Sequence, residues 1–178
     1  HVESNDILEY IDSSLSSESA SFFPVDPEEC AFVTQNLALE DSLHMDLRSL
    51  TMGFIMPRRL VQKSEATLRR WETEGAENPK RAIEVKWWRD FARDGISAER
   101  AKSAVAAHRA AFEILEQRLD ASEWLIGGRL SVLDIAWFIT TTRLRTAGYA
   151  LADHPNLFAW HQRLQSRPCF REETSDPF

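Results

Sequence analysis

Trp124-Leu125-Ile126-Gly127-Gly128-Arg129-Leu130-Ser131-Val132-Leu133-Asp134 leads directly into Ile135-Ala136-Trp137-Phe138-Ile139, and the reading of this passage decides the fold. Ser131 placed three residues before Asp134 has the pattern of a capping box, in which the hydroxyl accepts from the Asp134 amide and the carboxylate accepts from the Ser131 amide. Two donors that the start of a helix leaves unpaired are thereby satisfied. Leu130 just outside the cap and Ile135 just inside it are set for a hydrophobic staple. The run from Leu130 to Tyr149 is apolar on almost every side, so it reads as a helix at the centre of a bundle, with a polar tail from Thr140 to Thr146 leading to an exit near Gly148. On these local grounds Ser131→Ala or Asp134→Ala costs about 1–2 kcal/mol, and both residues are structural, not catalytic.

Working outward, the cleanest helical stripe precedes this passage: Ala101, Val105, His108, Phe112, Leu115 and Leu119 recur at steps of three and four after Ser97. His108 lies within that stripe and reads as a packed histidine. Behind the passage, Pro155 opens a helix carrying Leu157, Trp160, His161 and Leu164, which ends before Pro168 because a residue preceding proline disfavours helical dihedrals. Toward the N-terminus, Glu28 to Leu50 lacks Gly and Pro and is predicted as one long amphipathic helix with Phe32, Leu37 or Gln35, Leu39, Leu43, Leu47 and Leu50 on its apolar side. Gly53 and Pro57 mark its end. Arg58 to Glu74 is charged, with Leu60, Leu68 and Trp71, and Arg58, Arg59, Lys63, Arg69 and Arg70 read as a solvated face. Pro79 to Phe91 is another helix, in which Trp87 and Trp88 fill a core. A first short helix spans Glu3 to Leu15, followed by a serine-rich, proline-interrupted stretch that reads as a linker. With no alternating pattern of any length, the fold class is all-α, a helical bundle.

Composition narrows the function. With 178 residues, 43% of them hydrophobic, the chain can bury a sizeable core. Its net charge of −7 opposes a nucleic-acid partner, because phosphate affinity rests on Lys and Arg. Cys30 and Cys169 stand far apart without a CxxC or His-rich neighbourhood, so no metal site is indicated and a reducing, cytoplasmic setting fits. No apolar run approaches the roughly 18 residues of a membrane span.

Taken together, Trp124 to Gly128, Ser131 to Asp134, His154-Pro155-Asn156-Leu157 with Trp160, and Arg167-Pro168 form an ordered set that resembles the helical C-terminal domain of glutathione S-transferases. The resemblance is strong from about Ala101 to Phe170 and extends to Glu28–Leu50 as that domain's first helix. It implies boundaries at residues 28–172 for the helical domain, with residues 57–95 as an enlarged segment between its first two long helices and residues 173–178 as a tail. Residues 1–15 are then similar to the last strand and helix of the family's thioredoxin-like domain, a remnant of an α/β unit, joined by a linker at residues 16–27.

The resemblance further implies glutathione as co-substrate, with no metal, and an apolar electrophile as the second substrate. Glu3 and Ser4 match the acidic residue and serine that bind the γ-glutamyl part of glutathione. The physical fit is reasonable, since a helix N-terminus offers free amides and a positive dipole end to a carboxylate. His44, Arg48 and Met52 lie on the helix that borders the substrate pocket. The thiol-activating residue of the family belongs to a region upstream of His1, so no catalytic residue is assigned in this chain, which by itself is expected to be inactive. A homodimer is the family expectation for a full-length parent. Two further readings stay open: a glutathione-dependent ether-cleaving or dehalogenating enzyme, and a non-catalytic transferase-like module for protein association.

Overall fold

A computed structural model of the chain describes residues 4–15, 21–56 and 62–174. Among the described residues it is helical, with no strand. The helices are α1 (Ser4–Leu15), α2 (Pro27–Ser42), α3 (His44–Phe54), α4 (Glu65–Glu74), α5 (Pro79–Asp94), α6 (Ala98–Asp120), α7 (Val132–Thr146), α8 (Pro155–Gln165) and α9 (Pro168–Thr174), with a short 3-10 turn at Leu151–Asp153. Val2 and Glu3, where the remnant strand is expected, lie outside the described residues, as do Arg58, Arg59 and Leu60.

Local chemistry starts most of these helices. Asp26 accepts from the amides of Glu28 and Glu29 ahead of Pro27, and Asn78 accepts from Lys80 ahead of Pro79. Ser64 and Ser97 accept from the third residue beyond them, Thr67 and Arg100. Each such cap is worth about 1 kcal/mol. α8 is an exception, since His154 before it makes no side-chain cap. Its free amides at Asn156 and Leu157 donate instead to the two carboxylate oxygens of Glu116 on α6, at 2.9 and 2.7 Å.

α7 is the central helix, packed on α2, α3 and α8, while α6 lies against α3 and α8. Trp137, Phe138, Leu133 and Leu144 of α7 meet Phe112 and Leu115 of α6 and Leu157, Trp160 and Leu164 of α8 in one core, all at most 1% exposed. Truncating a large side chain here costs about 3–5 kcal/mol, from lost transfer energy and the cavity left behind.

Three sequence expectations are corrected. The single helix over residues 28–50 is two, broken at Leu43, whose amide bonds back three residues to Glu40 (3.1 Å) while the Ser42 hydroxyl takes the Leu39 carbonyl (2.7 Å). The tightened turn rephases the helix, so the buried face of α2 is Val33, Asn36 and Glu40, with Phe32, Leu37 and Leu39 only flanking the core. The threonines of α7 are not a polar tail: Thr140 and Thr141 are 1% and 0% exposed. Their hydroxyls are paired inside the protein, Thr141 to the Trp137 carbonyl at 2.9 Å and Thr140 to Glu40 at 2.8 Å. The helix opened by Pro155 ends at Gln165, before Pro168 as expected, and a further helix follows it. That proline sits at the first position of α9, where its missing N–H costs nothing, and Phe170 of α9 packs edge-on against Phe138 at 4.8 Å.

The segment α4–α5 has its own small core of Leu68, Val85, Trp88 and Phe91, with Trp71 and Trp87 at its margin. Of the paired tryptophans, Trp88 thus lies in the core of the enlarged segment and Trp87 packs against it. Arg69 and Arg70 are exposed and pair with Glu65 and Glu74 on the same helix, a solvated face.

Candidate functional site

A cleft of about 600 Å³ opens where α1, α2, α3 and α7 converge. Five residues of α3 line it, His44, Leu47, Arg48, Thr51 and Met52. The helical repeat explains the set, because positions 44, 48, 51 and 52 share one side of a helix. α7 contributes Ile135, Ala136, Ile139, Thr140 and Arg143, and α1 contributes Asn5, Ile7 and Leu8. The cleft therefore brings together all three residues that the sequence places at a substrate pocket, His44, Arg48 and Met52. Ser4 opens α1 beside Asn5, but its side chain and all of Glu3 lie outside the described residues.

A carboxylate that the sequence reading missed organises the polar half of the cleft. Glu40 is 6% exposed, accepts from the Thr140 hydroxyl at 2.8 Å and meets His44 Nε2 at 3.2 Å. Its hydrogen bond to His44, reinforced by the charges of Glu40 and Asp41, holds the imidazole above its usual pKa against the opposing effects of burial and Lys80. The other ring nitrogen of His44 lies 3.4 Å from Asp41, which is itself held by Lys80 at 2.9 Å. Signals for Glu40 exist in the sequence: it stands four residues before His44 and in register with Val33, Leu43 and Leu47. Its phase was hidden by the break at Leu43.

Arg48 is fixed from the opposite side. Its guanidinium donates to Glu84 of α5 at 2.9 Å and lies 5.9 Å from the rings of both Trp87 and Trp88. The enlarged α4–α5 segment therefore sets the position of a cleft residue, and Met52 packs against the same small core. Gly53 is part of this fit, since a Cβ there would sit 3.1 Å from Ile96. Chemically the cleft offers an apolar surface of Ile7, Ile135 and Ile139 together with the guanidinium groups of Arg48 and Arg143 and the hydrogen-bonded His44–Glu40 pair. Among the described residues no group of His, Cys, Asp or Glu is arranged to hold a metal.

Ser131 and Asp134 sit at the start of α7, in the core. The capping box is formed, and Asp134 does more than close it. Oδ2 accepts from the Ser131 amide (2.8 Å) and hydroxyl (2.6 Å), and Oδ1 accepts from the Leu125 amide (3.2 Å) and the Trp160 indole N–H (2.7 Å). Burial pushes this carboxyl up in pKa while the four donors pull it back. Trp124 lies under the guanidinium groups of Arg163 and Arg167, at 5.7 and 5.8 Å. The ordered residues of the sequence set are thus one contiguous structural cluster, joining the loop before α7 to α8.

Comparison with known proteins gives this cluster a family. The glutathione S-transferase C-terminal domain model matches residues 98–163, from the start of α6 to near the end of α8. The disulfide-bond oxidoreductase YfcG of Escherichia coli (strain K12) is 40% identical over 60 residues, which is 32% of this chain and 26% of that protein. Two solved structures share the fold. A glutathione S-transferase of Methylobacterium radiotolerans JCM 2831, in complex with glutathione sulfonate, aligns with TM-score 0.62 and 21% identity over 98% of this chain and 66% of its own. The beta-etherase LigF of Sphingobium sp. strain SYK-6 aligns with TM-score 0.70 and 20% identity over 98% of this chain and 73% of its own. This chain thus spans about a quarter of the curated relative in sequence and about two-thirds of the first of these structures. Residues 98–163, the helices built around Asp134, thus match the glutathione S-transferase C-terminal domain, and the described fold is that of the two solved structures.

Proposed function

We propose that the protein acts in glutathione-dependent transfer, the thiolate of glutathione attacking an apolar electrophile held in the cleft between α1, α3 and α7. The observation that carries this reading is the convergence of His44, Arg48 and Met52 with the start of α1 around one cleft. Glutathione would lie at the N-terminus of α1, near Glu3 and Ser4, where free amides favour its glutamyl carboxylate. The electrophile would rest on Ile7, Ile135 and Ile139. Arg48 and Arg143 would steady negative charge that develops on the leaving group, an electrostatic role that is strongest in a water-poor site. The thiol-activating residue would come from outside this chain, in a parent acting as a homodimer in the cytoplasm.

A narrower version is cleavage of an ether or a carbon–halogen bond. It is favoured by the hold of α5 on Arg48 through Glu84, which makes the enlarged α4–α5 segment part of the pocket's wall. An assay of the intact protein with glutathione and a panel of aryl halides, epoxides and aryl ethers tests both forms. Saturable glutathione dependence is expected, with Arg48→Ala raising KM for the electrophile more than for glutathione. Absence of glutathione binding at millimolar ligand would sink the proposal and favour a non-catalytic association module.

A further inference from the structure

His44 and Arg48 line two spaces at once. One is the cleft of about 600 Å³, and the other is a hollow of about 470 Å³ between α3 and α5, whose apolar residues are Met45 and Ile83. The two spaces share no other lining residue, so these two side chains form the partition between them. The Arg48 half is fixed. Its guanidinium donates to one oxygen of Glu84 at 2.9 Å, while the other oxygen takes Arg81 at 2.8 Å, and a guanidinium does not lose its proton in a protein.

The His44 half is held between two carboxylates. Nε2 lies 3.2 Å from Glu40 and Nδ1 lies 3.4 Å from Asp41. Each carboxylate is anchored elsewhere, Glu40 to the Thr140 hydroxyl of α7 and Asp41, through both oxygens, to Lys80 of α5 at 3.0 and 2.9 Å. An imidazolium has an N–H on each nitrogen and serves both carboxylates. A neutral imidazole has one, and turns a bare lone pair toward the other carboxylate. The ring is therefore clamped across the break at Leu43 while it is protonated, and loses one of its two holds when it is not.

The charged groups around the ring are Glu40 and Asp41 of α2, Arg48 of α3, Lys80, Arg81 and Glu84 of α5, and Arg143 of α7. From α1 the cleft receives Asn5, Ile7 and Leu8, none of them charged. The hydrogen bond to Glu40 is the largest influence and raises the imidazole above its ordinary 6.5. The clamp is thus complete below pH 6.5 and is lost as the pH rises through the raised value.

We propose that His44 is a specificity-determining residue: clamped between Glu40 and Asp41, it closes the cleft toward α5 and limits the length of apolar ligand that the cleft accepts. Once released it swings aside, and the ligand's tail runs on into the hollow over Met45 and Ile83, the latter 58% exposed. The inference rests on the cleft being the electrophile pocket of the proposed transfer, but the partition exists with or without glutathione.

Binding of 4-n-alkylphenols of increasing chain length to the full chain, measured by calorimetry, tests it. These ligands are uncharged well below the phenolic pKa of about 10 and need no glutathione. The midpoint of His44 is first found by ¹⁵N NMR of the imidazole; it should lie above 6.5 and fall in Asp41→Asn. At about one pH unit below that midpoint, each added methylene should raise affinity about fourfold until the cleft is filled, and there the gain should stop. About one unit above it, and in His44→Ala at either pH, the gain should continue through further methylenes. His44→Lys, a cation at both pH values, should keep the limit at both. The proposal is overturned if no phenol binds saturably, if the parent shows no limit at the lower pH, or if the limit stays where it is at the higher pH or in folded His44→Ala. A limit that moves as expected in a protein without glutathione-dependent activity supports the partition and refutes the transfer. Activity with an unmoved limit does the reverse.

Discussion

Replacing Asp134 by alanine is expected to destabilise the protein by about 3–5 kcal/mol, well beyond the cost of an ordinary helix cap. Three of the donors it accepts, the amides of Leu125 and Ser131 and the Trp160 indole, cannot rotate to find another partner, and Leu125 and Trp160 are at most 1% exposed. Each buried donor left without an acceptor costs about 1–3 kcal/mol. The sum is reduced because removing the carboxylate also removes the burial cost that pushes its pKa up. Water entering the small space left recovers part of the rest. For a chain of 178 residues the loss corresponds to a fall in Tm of roughly 6–20 °C. Asp134→Asn keeps the shape but turns an N–H₂ group toward a donor, so it should recover less than half of the loss. Urea unfolding measures both, and a double-mutant cycle with Trp160→Phe should show coupling of about 1–2 kcal/mol. A loss below about 1 kcal/mol for Asp134→Ala at unchanged m-value would refute the reasoning, because it would make Asp134 a local cap only.

Three more outcomes follow from the same kind of argument. Glu116→Ala uncaps α8 at Asn156 and Leu157 and should cost about 1–2 kcal/mol, read by urea unfolding, with Glu116→Gln recovering part of it. Thr140→Val leaves Glu40 Oε1 buried without its donor; about 1–2 kcal/mol of stability should be lost, and an NMR titration should show the pKa of His44 moved. His161, fully buried, stacks on Phe138 at 4.9 Å, and burial, aided by Arg145, lowers its pKa from 6.5 to about 4. The unfolded chain therefore takes up a proton below pH 6.5 that the folded one refuses, so stability is full above pH 6.5 and falls as the pH drops toward 4. His161→Phe should flatten the pH profile of unfolding by up to about 3 kcal/mol across that window; an unchanged acid limb would show that His161 does not carry it.

Part of the candidate site was legible because the family resemblance points to the helix that borders a substrate pocket, and positions 44, 48 and 52 share one side of that helix. Glu40 and Thr140 were not legible in the same way. A carboxylate in a stripe of apolar residues looks out of register unless the break at Leu43 is known, and a run of threonines at a helix end looks solvated unless a partner is known. Arg48 was named through the resemblance, but its hold by Glu84 depends on how a separate helical pair folds back. The linker expected at residues 16–27 was likewise read from composition, whereas Phe22 within it accepts from the Val132 amide at 2.9 Å and donates to Asp12 of α1 at 2.7 Å. That places Phe22 at the head of the central helix.

What the sequence by itself determined is everything carried by neighbours within one helical turn. The starts at Pro27 and Pro79, the cap at Ser97, the capping box at Ser131 and Asp134, and the all-helical class belong here, since their partners are two to four residues away. What only the tertiary structure decided is where the remaining hydrogen-bonding capacity goes. Trp160 reaches Asp134 across 26 residues, Glu116 caps α8 across 40, and Thr140 meets Glu40 across 100. The reason is that a buried polar group must find a partner in space, and which one it finds depends on the packing register of helices that sequence spacing does not encode.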